Sequence, residues 1–253
     1  MIPSDLDQRV RKAVRLFWST RRDQATRQGK VTGVRDTGAR AAVTGGAQMN
    51  GFVELTRSVL LKCGVPEPDI YCRKSVELPG WFRPEKSWDL IVVSNRHLLA
   101  AIEFKSQIGP SFGNNFNNRS EEAIGNATDL LAAYREGAFS PSPRPWLGYL
   151  MLLEESPAST RPVRVAEPHF KTFREFNGAS YARRYELLIT KLLRDRLYDA
   201  GALVLSDRAS GPMGGYREPS PELTIELFLR SLMARALAGT PHRAPPSKKG
   251  PAQ

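Results

Sequence analysis

Asp89, Glu103 and Lys105 stand at the ends of two apolar runs, Trp88-Asp89-Leu90-Ile91-Val92-Val93 and Ile102-Glu103-Phe104-Lys105. Carboxylates are hard oxygen ligands for Mg²⁺. Bound Mg²⁺ can activate water and steady the charge on a phosphate under attack. The pattern therefore points to metal-assisted phosphodiester hydrolysis.

Strand arithmetic sharpens the point. A three-residue turn at Asn95, Arg96 and His97 would set Ser94 opposite Leu98 and Asp89 opposite Glu103. Directly opposed residues have Cβ atoms roughly 4.5–5.5 Å apart, so both acids can hold one divalent ion. Alternation along a strand puts Glu103, Lys105 and Gln107 on one side, with Ile102 and Phe104 in the core. Two like charges this close call for a cation between them. In this reading Asp89 and Glu103 hold the metal. Lys105 orients and helps deprotonate the attacking water, or neutralises charge on the phosphate. Gln107 positions substrate or water, and Glu54 completes a metal shell or serves a second site. The same spacing also describes an ordinary strand-end acid beside an exposed Glu–Lys pair. The setting of two apolar strands, a short turn and a following helix in a basic chain favours the catalytic reading.

The elements that must position these groups are legible from periodicity. Residues 5–28 carry Leu6, Val10, Ala13, Val14, Phe17 and Trp18 on one helical face, with Arg9, Arg11, Lys12 and Arg15 mostly on another. Residues 29–48, rich in Gly, Thr and Arg, predict a mobile basic loop. A second helix is expected over 49–63, stopped by Gly64 and Pro66, with Glu54 off its apolar stripe. The spacing predicts a strand over 69–78 and a hairpin of 88–93 with 97–105. A polar loop is expected over 109–119 and a helix over 119–136, closed by Gly137. A buried strand follows over 146–153, then an inserted segment over 154–176, a helix over 179–200 and a short strand over 202–205. Residues 207–221 predict another Gly/Pro/Arg loop and 222–238 a last helix. Residues 240–253 read as a disordered basic tail, beyond a single nuclease domain spanning 1–239.

Composition sets the partner. The chain has 253 residues, 37 Lys+Arg against 26 Asp+Glu, and a formal net charge of +11, which implies a polyanion. Residues 1–7 lack a signal-peptide core, and no apolar run approaches membrane-spanning length. Cys63 and Cys72 form no CxxC pair and read as reduced thiols of a cytoplasmic protein. Three scattered histidines, His97, His169 and His242, do not support a zinc site. No GxxxxGK[ST] loop is present, which argues against an NTP-driven enzyme.

The D-(x13)-E-x-K spacing within helix–strand–hairpin–helix–strand order resembles the PD-(D/E)xK nuclease superfamily, with Trp88 where the usual Pro stands. Two longer runs resemble the XhoI family of Type II restriction endonucleases. They are Ala42-Val43-Thr44-Gly45-Gly46-Ala47-Gln48-Met49-Asn50-Gly51-Phe52 and the run from Glu103 to Glu122, which includes Ser106-Gln107-Ile108-Gly109-Pro110-Ser111-Phe112-Gly113-Asn114-Asn115-Phe116. The resemblance covers about residues 5–238. It implies an α/β fold with a restriction-endonuclease-like core, a central mixed β-sheet flanked by helices. It also implies a Mg²⁺-dependent homodimer that cuts double-stranded DNA at CTCGAG after the first C, leaving a 5′ overhang. Functional pairing with a cognate DNA methyltransferase follows from the same family.

Reading such a site needs Arg or Lys for guanine and Asn or Gln for adenine. Asn114, Asn115, Asn117, Asn118 and Arg119 are candidates because their segment follows the catalytic strand. The alternative is that the asparagines only shape a loop. Arg35, Arg40, Arg208 and Arg217 are further candidates on the Gly-rich loops. Two other functions share these residues: a structure-specific repair or junction nuclease, and a catalytically silent DNA-binding protein. Intact Asp89, Glu103 and Lys105 argue against the silent form.

Overall fold

A computed structural model describes residues 2–32 and 46–239. Most of the loop expected at 29–48, with Arg35 and Arg40, and the tail expected at 240–253 lie outside these residues.

The main sheet has five strands in the order β1 (Ile70–Tyr71), β4 (Leu90–Ser94), β5 (His97–Gln107), β6 (Trp146–Glu154) and β7 (Ala200–Ser206). The β1–β4 and β4–β5 pairs are antiparallel, and β5–β6 and β6–β7 are parallel. This is the mixed α/β arrangement that the sequence implies. The segment expected as one strand over 69–78 is instead split. After β1 the chain leaves the sheet, and β2 (Glu77–Pro79) pairs with β3 (Glu85–Ser87) in a separate two-stranded sheet.

Burial on both faces explains the apolar strands. One layer packs Val14, Phe17, Phe52, Val59, Phe228 and Leu232 against Ile102 and Phe104. These side chains come from α1 (Leu6–Thr32), α2 (Asn50–Lys62) and α6 (Ile225–Gly239). The opposite layer packs α3 (Phe112–Arg135) and α5 (Tyr181–Arg194) against Ala101, Tyr149 and Met151. A short α4 (Pro157–Thr160) lies in the segment expected as an insertion.

The hairpin reaches the expected register by another route. Asn95 and Arg96, at φ 50° and 64°, form a two-residue turn that pairs Ser94 with His97. This is the turn geometry whose twist suits adjacent strands. An irregularity between Val92 and Val93 then adds one residue on β5, so that Leu90 pairs with Ile102. The two departures from a three-residue turn cancel, and one step further Asp89 falls opposite Glu103.

The segment expected as a polar loop over 109–119 is corrected: α3 begins at Phe112. Asn and Gly are weak helix formers, but Phe112 and Phe116 lie one turn apart and both pack on Tyr181 of α5. Burial of that aromatic face outweighs the poor propensity. Gly137, at φ 86°, closes the helix as expected.

Candidate active site

Glu103 is the electrostatic centre. Its side chain is 1% exposed, and both carboxylate oxygens face lysines: Oε2 lies 2.8 Å from Lys105 Nζ, and Oε1 meets Lys86 Nζ. Lys86 comes from β3 and also lies 4.3 Å from the centroid of the Trp88 ring. Burial alone would raise the Glu103 carboxyl, but Lys105 and Lys86 hold it below the usual range. Burial opposes the charge of Lys105 too, yet Glu103 and Asp89 raise it above an ordinary lysine. Lys105 is therefore an ammonium at neutral pH, which suits charge neutralisation better than proton abstraction. Lys86 moves the other way, lowered chiefly by its own burial.

Asp89 is the less satisfied acid. Its Oδ2 accepts from Phe104 N at 2.7 Å. Burial, and then the charge of Glu103, push its carboxyl up to about 6. It lines a cavity of about 300 Å³ together with Lys105, Gln48, Asn115 and Arg119. Glu103 lies behind this lining, so the two acids present different degrees of access.

A divalent ion fits this donor set. Among the described residues no group of three or more His, Cys, Asp or Glu is arranged to hold a metal. Mg²⁺ needs only one or two carboxylates, with water and phosphate completing its shell. Asp89, pushed toward protonation by burial and then by the Glu103 carboxylate, is the group such a cation would relieve.

The other expected residues separate. Gln107 is 4% exposed. Its Oε1 accepts from Tyr185 Oη, and its Nε2 donates to Phe112 O at 3.0 Å. It lines the cavity, but both ends of its amide anchor α3 and α5. Glu54 is not brought to the hairpin. It is exposed, lies 3.6 Å from Arg57 and 4.0 Å from Arg73, and lines a different cavity. Its position off the apolar stripe of α2 turns it toward solvent, away from the sheet.

Among the asparagines, Asn115 lines the cavity with Arg119, one turn on; Asn114, Asn117 and Asn118 are exposed on α3. Arg119 also pairs with Glu122 at 2.5 Å. Arg208 and Arg217, expected on a free loop, are each held by a carboxylate: Glu154 at 2.5 Å and Glu155 at 2.5 Å.

Sequence reading missed Lys86, Asn126, which faces Glu103 Oε1 at 3.5 Å, and Gln48. Lys86 left a faint signal, since it shares a period-two face with the buried Trp88. Asn126 left none, because α3 reaches Glu103 only through packing.

A groove continues from the cavity. Arg21 and Ile108 line both the first cavity and a second of about 390 Å³ that adds Arg15, Arg22 and Arg208. Arg15, Ser19 and Pro212 carry it into a third of about 660 Å³, with Arg9 and Lys12. The basic face of α1 therefore leads directly to Asp89. No helix among the described residues is long and apolar enough to cross a membrane.

Comparison with known proteins places the chain in a family. The family profile described as restriction endonuclease XhoI matches residues 27–218. The Type II restriction enzyme BstVI of Geobacillus stearothermophilus is 50% identical over 204 residues, covering 79% of this chain and 91% of that protein. The Type II restriction enzyme XhoI of Xanthomonas vasicola is 42% identical over 197 residues, covering 75% and 76%. The Type II restriction enzyme AbrI of Azospirillum brasilense is 45% identical over 172 residues, covering 68% and 77%. No solved structure matches significantly.

Proposed function

The chain belongs to the XhoI family of restriction endonucleases, and from that premise we propose that it hydrolyses double-stranded DNA at the palindrome CTCGAG, after the first C. The target sequence and cut position are what the family resemblance implies; the observation that carries phosphodiester hydrolysis is the cavity where Asp89 and Lys105 meet, with Glu103 behind them and an arginine-lined groove running out of it.

Asp89 and Glu103 would hold Mg²⁺. When bound, the ion supplies Lewis-acid polarisation of the phosphate and makes water more acidic. Lys105, held as an ammonium by Glu103 and Asp89, offsets negative charge that grows on the phosphate. Lys86 keeps Glu103 ionised in a buried position. Phe104 N fixes the Asp89 carboxylate. Arg15, Arg22 and Lys12 on α1 bind the sugar–phosphate backbone, a contact that positions the duplex without reading its sequence. Asn115 and Arg119 face the cavity from the start of α3; Asn115 is the base-reading candidate best placed for it, and Arg119 is placed for a phosphate.

A palindromic target calls for a two-fold symmetric homodimer. An enzyme of this kind needs a cognate DNA methyltransferase to protect the host's own sites.

The test is a plasmid digest with Mg²⁺, an EDTA control and run-off sequencing of the ends. Cleavage of both strands after the first C, with a 5′ overhang, is the expected result. Ends at other sequences would overturn the target. Cutting confined to branched DNA would overturn the restriction reading.

A further inference from the structure

We propose that Gln48 is a further catalytic residue, whose side-chain carbonyl accepts a hydrogen bond from the attacking water. The inference rests on the endonuclease reading and adds a residue to it.

Gln48 lies in a 3-10 turn, Ala47–Met49, immediately before α2. Its neighbour Met49 is 2% exposed and Phe52 is fully buried, so the turn is pinned to the core. The turn packs on α1, α2 and β5. Gln48 itself is 8% exposed and lines the same cavity as Asp89 and Lys105. Its Oε1 is buried with no hydrogen-bond partner among the described residues. A buried acceptor left unpaired costs free energy, so the site is built for a donor that arrives with the substrate.

The same cavity holds a second orphan of opposite kind, Arg119 Nε, a buried donor without a partner among the described residues. The two match the two reactants of hydrolysis. A phosphodiester offers only acceptor oxygens, which suit Arg119. Water offers two O–H donors, and one of them suits Gln48 Oε1. Holding that water by a fixed acceptor aligns its lone pair for attack at phosphorus. As the new P–O bond forms, the P–O3′ bond breaks and its electron pair leaves with the 3′ oxygen; the attacking water gives its proton to solvent water, and the 3′ oxygen takes one from solvent to become the hydroxyl. The only competing donors in duplex DNA are base amino groups, and contact with those would make Gln48 a reader of sequence.

The experiment uses the full chain and a synthetic duplex carrying the site that the wild-type protein is first shown to cut. If the wild type cuts nothing, the endonuclease reading fails before Gln48 is tested. Gln48→Ala and the size-conserving Gln48→Met are expected to lower the single-turnover cleavage rate about 10- to 100-fold, the scale of a misplaced reactant. Gln48→Glu, which keeps an acceptor oxygen, is expected to recover part of that loss. Duplex affinity by fluorescence anisotropy in EDTA and the melting temperature of Gln48→Met should stay unchanged. Three results would each overturn the proposal: rates within about twofold of wild type for Gln48→Met, a matching loss of affinity, or cleavage of sites altered at one base pair.

Discussion

Lys86 reaches the buried carboxylate of Glu103 from outside the main sheet, on a strand of the small β2–β3 sheet. Glu103 thereby gains a second cation besides Lys105, and the central acid of the site depends on a segment that carries none of the D…ExK pattern. Removing Lys86 leaves Glu103 with Lys105 as its cation and Oε1 without its lysine. Lys86→Ala is therefore expected to destabilise the fold by about 1–3 kcal/mol, the cost of a buried acceptor that loses a charged partner. Denaturant unfolding measures this, and an unchanged midpoint would show that Lys86 is dispensable to Glu103.

Asp89 gives a pH prediction with a definite sign. Its carboxyl is raised from 3.8 to about 6, so the folded state holds the proton more tightly than the unfolded chain does. The associated stability is fully present below the unfolded value and is lost as pH rises through about 6. Asp89→Asn removes that loss and keeps an acceptor for Phe104 N. The variant should be inactive, should still bind DNA, and should melt higher than wild type at pH 8, reflecting a gain in stability of roughly 1–3 kcal/mol. Equal melting curves at pH 8 would contradict the burial of Asp89 as an ion.

Metal linkage supplies a third check. Mg²⁺ that binds only the folded state raises the melting temperature with concentration. The wild type should show this rise, and Asp89→Asn should not. A rise of the same size in the variant would move the metal elsewhere.

The α1 groove predicts a salt response. Each phosphate contact contributes roughly one unit to the slope of log affinity against log salt. Arg15→Ala and Arg22→Ala should each flatten the slope by roughly that amount and weaken binding evenly across sequences. Unaltered slopes for both would take the duplex off α1.

Gln107 has both ends of its amide occupied, so Tyr185→Phe should act through structure. Loss of the buried hydroxyl leaves Gln107 Oε1 unpaired, a cost of about 1–3 kcal/mol. Thermal unfolding should register that loss while duplex affinity holds. A stability equal to wild type would mean that Gln107 is free to turn toward substrate.

Much of this molecule is local and therefore readable. The apolar periodicity of α1, α2 and α6, the opposition of Asp89 to Glu103, and the shared side of Glu103, Lys105 and Gln107 follow from pleat and helix geometry. Even the turn at Asn95 and Arg96, shorter than expected, left that opposition intact because the adjacent irregularity restored the register. The runs from Ala42 to Phe52 and from Glu103 to Glu122 also carried the family. What the sequence could not decide was set by contacts between distant segments. Phe112 and Phe116, buried on Tyr181, turned an expected loop into the first turns of α3. Glu154 and Glu155 claimed Arg208 and Arg217. Arg57 and Arg73 kept Glu54 at the surface. Lys86 and Asn126 arrived at Glu103 from a second sheet and from a helix. Periodicity says which side of its own element a residue occupies; only packing says which other element lies on that side, and the charge balance at Glu103 is settled there.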